Sequence, residues 1–156
     1  MTPGRLLTFK EKIHGLVILF GQSGSGKTTL LQKWADYPEY SYLTIGSLIS
    51  ERTRGSARTE WPDTIQKEFQ HAVESAEGDT VLCDNLELLF ASDLSLDPLR
   101  LLKQASRKKA VVAAWNGSYD GSTLSYAAPG HDEYRAYSPA DLADVTLFSV
   151  NEANAL

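Results

Sequence analysis

Apolar residues in this chain fall into two patterns: short unbroken runs, and stripes spaced three or four residues apart. The runs are LVILF (16–20), TVLCD (80–84), AVVAAW (110–115) and VTLFSV (145–150). Each predicts a strand, LVILF one buried on both faces and TVLCD another buried one. YSYLTIGSLI (40–49) predicts a further strand, with room for a helical turn at its end. The stripes predict helices over 5–13, 28–34, 61–76 and 98–107, the third carrying Ile65, Phe69, Ala72, Val73 and Ala76. Pro62 and Pro98 stand where a first helical turn tolerates proline, and His14-Gly15 stops the first helix. Ser138 and Pro139 predict a short helix over 138–144. The polar stretch ERTRGSARTE (51–60) reads as loop, and Asp120-Gly121 as a hairpin turn lying outside the sheet.

Strands alternating with helices predict an α/β fold, a three-layer sandwich around a mainly parallel five-stranded sheet. No linker or internal repeat divides the chain, so residues 1–156 read as a single domain. The longest apolar run is far short of the ~20 residues of a membrane helix. No secretion signal is read either, and a cytoplasmic protein without membrane contact is expected. Cys83 is the one cysteine, which excludes an internal disulfide, and its strand position predicts a core residue. A net charge of −5 excludes a strong free-standing nucleic-acid binder, though not a local contact within a complex.

The chemistry is concentrated in GQSGSGKT (21–28), which matches the P-loop pattern G-x-x-x-x-G-K-[ST] in full, between a strand and a helix. Such a loop turns its backbone N–H groups toward an anion. Gly21, Gly24 and Gly26 allow the turns and the close approach, and the helix that follows aims its positive end at the phosphates. Gln22, Ser23, Ser25 and Thr29 complete the cradle. Lys27 is read as reaching the β- and γ-phosphates, and Thr28 as a ligand of Mg²⁺. Asp84, delivered by TVLCD to the carboxyl edge of a strand, is the expected second magnesium-side group. The predicted cofactors are therefore ATP and Mg²⁺. The absence of an N-K-x-D base-reading motif favours adenine over guanine only mildly.

Two further residues bear on hydrolysis. Glu87 stands three residues after Asp84, so a helix starting at the strand end would turn it toward the γ-phosphate. As a solvated helix residue it would have no role. Asn116 either senses the γ-phosphate or forms an Asn-Gly turn with Gly117. Arg52, Arg54 and Arg58 offer a DNA contact, an arginine finger for a neighbouring subunit, or a plain solvated loop. Arg107, Lys108 and Lys109 suit a helix C-terminus. His131, Asp132 and Glu133 lack the spacing of a zinc site. Tyr119, Tyr126, Tyr134 and Tyr137 form either a partner surface or a cover over one end of the sheet.

The segments LVILFGQSGSGKTTLL, LCDNLELLF and AAWNGSYDGSTLSYAAPGHDEYRAY, with a short final strand, resemble the BrxF family. These are the small P-loop proteins of type III BREX phage-defence systems. The resemblance spans nearly the whole chain. It implies an AAA+-like core lacking the C-terminal helical lid. It also implies partners among the other BREX components, which include a methyltransferase, a large ATPase, a helicase and a phosphatase-like protein. Asn116 would then match the sensor asparagine of AAA+-type ATPases.

Three functions follow as expectations. The first is an ATPase whose nucleotide state controls assembly of a defence complex on DNA, with Lys27, Glu87 and Asn116 catalytic and self-association supplying an arginine. The second is a non-catalytic ATP switch or scaffold, favoured by the displacement of Glu87. The third is a small-molecule kinase. Against it stand the lack of an arginine-rich lid and the absence of an acid at the end of strand two.

Overall fold

The structure is a computed structural model that describes residues 15–155; the helix predicted over 5–13 and His14 lie outside the described residues. Five parallel strands make the central sheet: β1 (Leu16–Gly21), β2 (Tyr40–Thr44), β3 (Thr80–Asp84), β4 (Ala110–Tyr119) and β7 (Val145–Ser149), in the order β2-β3-β4-β1-β7. The helices are α1 (Lys27–Trp34), α2 (Ile45–Arg52), α3 (Trp61–Ser75), α4 (Pro98–Ser106) and α5 (Val150–Asn154).

Strand parity sorts the core into two layers. Leu16, Ile18, Val81, Cys83, Val111, Ala113 and Trp115 pack on one face against Ile45 and Ile49 of α2, Phe69 of α3 and Leu102 of α4. Val17, Leu19, Leu82, Val112 and Ala114 pack on the other face against Leu30, Leu31 and Trp34 of α1 and Ala153 of α5. The runs of β1, β3 and the first part of β4 are buried because both faces are covered, whereas β7, at the sheet edge, is only half-buried along its length. The same parity sends Gly21, Asp84 and Asn116 to the α1 side at the carboxyl edge of the sheet. Because β4 lies between β1 and β3, Asn116 stands directly beside Gly21 in register.

Several boundaries differ from the sequence expectation. The second strand stops at Thr44, and 45–52 is a full helix, because Ile45 and Ile49 lie one helical turn apart and are both buried. The stretch 51–60 is accordingly not all loop: Arg52 closes α2, and Arg58–Glu60 is a 3₁₀ turn. No helix forms over 138–144. Ser138 and Asp141 bond each other through side chain and backbone, and Leu142 donates back to Ser138, which closes a turn only. The last strand ends at Ser149, whose hydroxyl and Glu152 form a reciprocal capping box that starts α5 at Val150.

The hairpin does not stand apart from the sheet. β4 runs on past the parallel ladder, and its second half, Gly117–Tyr119, pairs antiparallel with β5 (Leu124–Tyr126), which pairs with β6 (Arg135–Tyr137). Asp120 closes the turn by accepting from the amides of Ser122 and Thr123. Aromatic packing anchors this extension. Phe90 stacks on Tyr126 at 3.5 Å between ring centroids, and Trp115 meets Phe90, Tyr126 and Tyr137 edge-on. Tyr126 and Tyr137 are therefore core residues covering the sheet end, while Tyr119 and Tyr134 remain half-buried. Among the described residues, no helix is long and apolar enough to cross a membrane.

Candidate functional site

The loop from β1 to α1 is shaped by its glycines. Gly24 and Gly26 hold φ of +82° and +102°, in the left-handed region that a Cβ disfavours. At Gly21 the constraint is space, since a Cβ would lie 2.6 Å from the Ser25 hydroxyl. α1 then starts after Gly26 with no side-chain cap and no acidic residue in its first turn, as α2 also does, whereas α4 is capped by Asp97 and α5 by its box. An uncapped helix start presents N–H groups and a positive dipole end without an internal anion to answer them.

Lys27 is folded into this loop. Its ammonium donates to the carbonyls of Gly21 (2.9 Å) and Gln22 (2.7 Å) and to Ser25 Oγ (3.3 Å). The residue is only 6% exposed, and among the described residues no carboxylate stands within ion-pair distance. Burial pulls its pKa below the usual lysine range, against the opposing charges of Asp84 and Glu87. A desolvated cation held by neutral oxygens is a strong attractor for an anion.

Asp84 ends β3 and is 4% exposed. Its carboxylate accepts from the Tyr42 hydroxyl (2.7 Å) on β2 and from the amide of Asn85 (2.9 Å). Burial and the Asp84 hydrogen bond both push the Tyr42 phenol above its usual range, so it remains a donor. Tyr42 is a site residue that the sequence reading missed. Its position at an alternate place on the strand neighbouring Asp84 was the available signal, but it depends on knowing that β2 and β3 pair.

Glu87 opens a 3₁₀ turn, Glu87–Phe90, and its Oε1 accepts from Asn116 Nδ2 at 2.6 Å. Asn116 is inside β4 and makes no Asn-Gly turn; Gly117 is required instead because a Cβ there would overlap the Ser125 carbonyl of β5. These groups surround a cavity of about 290 Å³. Ser23, Gly24, Gly26, Lys27, Thr28 and Thr29 line one side of it, and Asp84, Asn85, Glu87 and Asn116 the other. Gly21, Gln22 and Ser25 do not line it but supply the acceptors that hold Lys27. Asn85 adopts a left-handed φ of +59°, strain of the kind that gathers at functional sites.

The three arginines separate. Arg58 makes a two-pronged pair with Asp93 (2.7 and 3.0 Å) and lies over Trp61 at 4.3 Å. Arg52 faces Glu68 at 3.9 Å. The Arg54 side chain has no hydrogen bond or ion pair among the described residues and lines a second cleft, with Glu51 and Glu87. Neither acid stands at the end of strand two: Glu51 lies on α2 and Glu87 in the turn after β3. Lys109 is engaged with the Ala76 carbonyl, and Cys83 is fully buried.

Chemically, the cavity offers a buried cation, an open helix start, a shielded carboxylate and a carboxylate–amide pair within one small space. No protein-family model matches the chain, and no curated protein matches it significantly.

Proposed function

We propose that this chain is a P-loop nucleoside triphosphatase that binds ATP with Mg²⁺ in the cavity between the Gly21–Thr29 loop and the Asp84–Glu87 turn. The single observation that carries the reading is that residues delivered by three neighbouring strands, Lys27 after β1, Asp84 on β3 and Asn116 on β4, line one cavity with Glu87. The parallel sheet with this loop at its carboxyl edge fits the AAA+-like core that the sequence resemblance implies. Lys27 and the start of α1 would hold the phosphates, and Thr28 and Asp84 the metal ion. Bound Mg²⁺ would neutralise charge on the phosphates. Glu87, oriented by Asn116, would accept a proton from the attacking water.

The wider assignment, a cytoplasmic component of an anti-phage BREX complex that acts with the other BREX proteins on DNA, rests on the resemblance alone. A second reading, an ATP-dependent switch without turnover, draws support from one geometric fact: Glu87 already spends one carboxylate oxygen on Asn116.

The test is Mg²⁺-dependent ATP hydrolysis across a wide range of protein concentrations, with and without double-stranded DNA. Specific activity that rises with concentration or DNA supports a site completed by a second copy. Bound ATP with no turnover favours the switch. Failure to bind ATP overturns both readings.

A further inference from the structure

A second cleft, of about 680 Å³, opens between α2 and the turn after β3, and it meets the loop cavity along Asn85 and Glu87. Hydrolysis asks only for room for one water beside the phosphate, whose share of liquid volume is about 30 Å³. The cleft is an open surface groove with room for a small molecule as well. Its α2 wall is one helical face: Ser47, Ser50 and Glu51 stand at i, i+3 and i+4, with Arg54 in the turn that follows. Ile45 and Ile49 bury the opposite face. Arg54 thus brings into the cleft a guanidinium that makes no hydrogen bond or ion pair among the described residues, alongside the carboxylates of Glu51 and Glu87. Glu87 stands on the shared wall, with Oε1 on Asn116 and its other oxygen without a hydrogen bond among the described residues.

We infer that this cleft is an acceptor site for a small hydroxylated anion. Its phosphate or carboxylate group sits on Arg54, its hydroxyls bond Ser47 and Ser50, and when it is bound one hydroxyl reaches Glu87 as an alternative to the water that hydrolysis uses. The inference rests on reading the adjoining cavity as a triphosphate site. The acceptor oxygen forms a bond to the γ-phosphorus, and the bond from that phosphorus to the β,γ-bridging oxygen breaks. Its electron pair departs on the nucleoside diphosphate. The hydroxyl proton passes to Glu87 and on to solvent, so the balance is R–OH plus nucleoside triphosphate giving R–O–phosphate, nucleoside diphosphate and a proton. Geometry decides between acceptors here: a carboxylate that faces both spaces can serve a hydroxyl delivered from the larger one.

The experiment titrates ¹⁵N-labelled protein, saturated with Mg²⁺ and a non-hydrolysable ATP analogue, with glycerol 3-phosphate in one arm and glycerate in the other. The expected result is a saturable shift of the Ser47, Ser50 and Arg54 amides, weakened at least about tenfold by Arg54→Ala and less by Arg54→Lys. The stronger arm tells a phosphate-bearing ligand from a carboxylate-bearing one. With ATP in place of the analogue, ³¹P spectra should show a new phosphomonoester that Glu87→Gln abolishes. Silence at these amides, shifts confined to residues 21–29, or binding with release of inorganic phosphate alone would overturn the acceptor site. Failure of the analogue itself to bind would instead sink the triphosphate reading on which it stands.

Discussion

Asn116 Nδ2 donates to Glu87 Oε1 at 2.6 Å, joining the middle of β4 to the turn that follows β3. The bond fixes the one carboxylate that faces both the loop cavity and the neighbouring cleft. It also explains how a glutamate three residues after Asp84 reaches the site: the 3₁₀ turn brings it round, and the asparagine on the adjacent strand holds it.

If Glu87 accepts the proton of the attacking water, Glu87→Gln should keep ATP binding and lower turnover by about 10²–10⁴-fold. Asn116→Ala should lower turnover by a smaller factor, because the carboxylate remains but loses its orientation. Single-turnover hydrolysis measured beside ATP binding separates the two effects. Normal hydrolysis by Glu87→Gln would return this residue to the solvated surface.

If Asp84 holds the Mg²⁺ ion, Tyr42 acts through that carboxylate. Tyr42→Phe removes the hydroxyl that bonds the carboxylate and should raise the Mg²⁺ concentration needed for half-maximal ATP binding by about tenfold, the usual scale for a group orienting a metal ligand. ATP binding without Mg²⁺ should change little. An equal loss with and without Mg²⁺ would mean that the ring, and not the hydroxyl bond, matters.

Gly117 is a packing requirement. The Trp115 indole N–H donates to Ser125 O at 3.1 Å, and this carbonyl occupies the place a Cβ on Gly117 would take. Gly117→Ala should destabilise the fold by more than about 2 kcal/mol, the range of substitutions that force a backbone shift. Denaturant unfolding checks it, and a loss below about 0.5 kcal/mol would show that the hairpin yields at no cost.

Alkaline pH should weaken the fold. Burial pushes both the Tyr126 phenol and the Cys83 thiol up to about 12, the phenol with help from the charges of Glu87 and Glu133 and the thiol with help from Asp84. Below their unfolded values, about 10 and about 8.5, both states keep these protons and pH has no effect through them. Between the unfolded and folded values only the unfolded chain ionises. Stability then falls as pH rises, by about 1.4 kcal/mol per pH unit for each group. Urea midpoints at about pH 8 and about pH 11 measure this, and Cys83→Ala should flatten the fall at its lower end.

The five parallel strands and the helices after β1 and before β3 and β4 were legible because buried runs and helical stripes differ in period. Thr80–Asp84 was readable for the same reason, and the loop of residues 21–28 from the spacing of its glycines and lysine. Partnerships across strands were not. Asn116 followed by Gly117 leaves an inward amide and a turn both open, and it is the pairing of Asn116 with Gly21 on β1 and of Gly117 with Tyr126 on β5 that keeps the residue in the strand. Tyr42 could not be assigned before β2 was known to lie beside β3. Nor did the spacing of Arg52, Arg54 and Arg58 tell which of them is tied down, since Asp93 and Glu68 arrive from distant segments.

The measurement that tests the central claim most directly is calorimetric titration of Mg²⁺-ATP into the protein and into Lys27→Met, with thermal unfolding of both run alongside. Saturable binding to the unaltered chain is expected. The variant should lose about tenfold or more in affinity, the scale of one charge-assisted hydrogen bond. The melting temperature should fall little, because the ammonium is held at a desolvation cost in the unliganded loop. Equal affinity in a folded variant, or no binding by the unaltered chain, would contradict the assignment of the Gly21–Thr29 loop as a phosphate cradle.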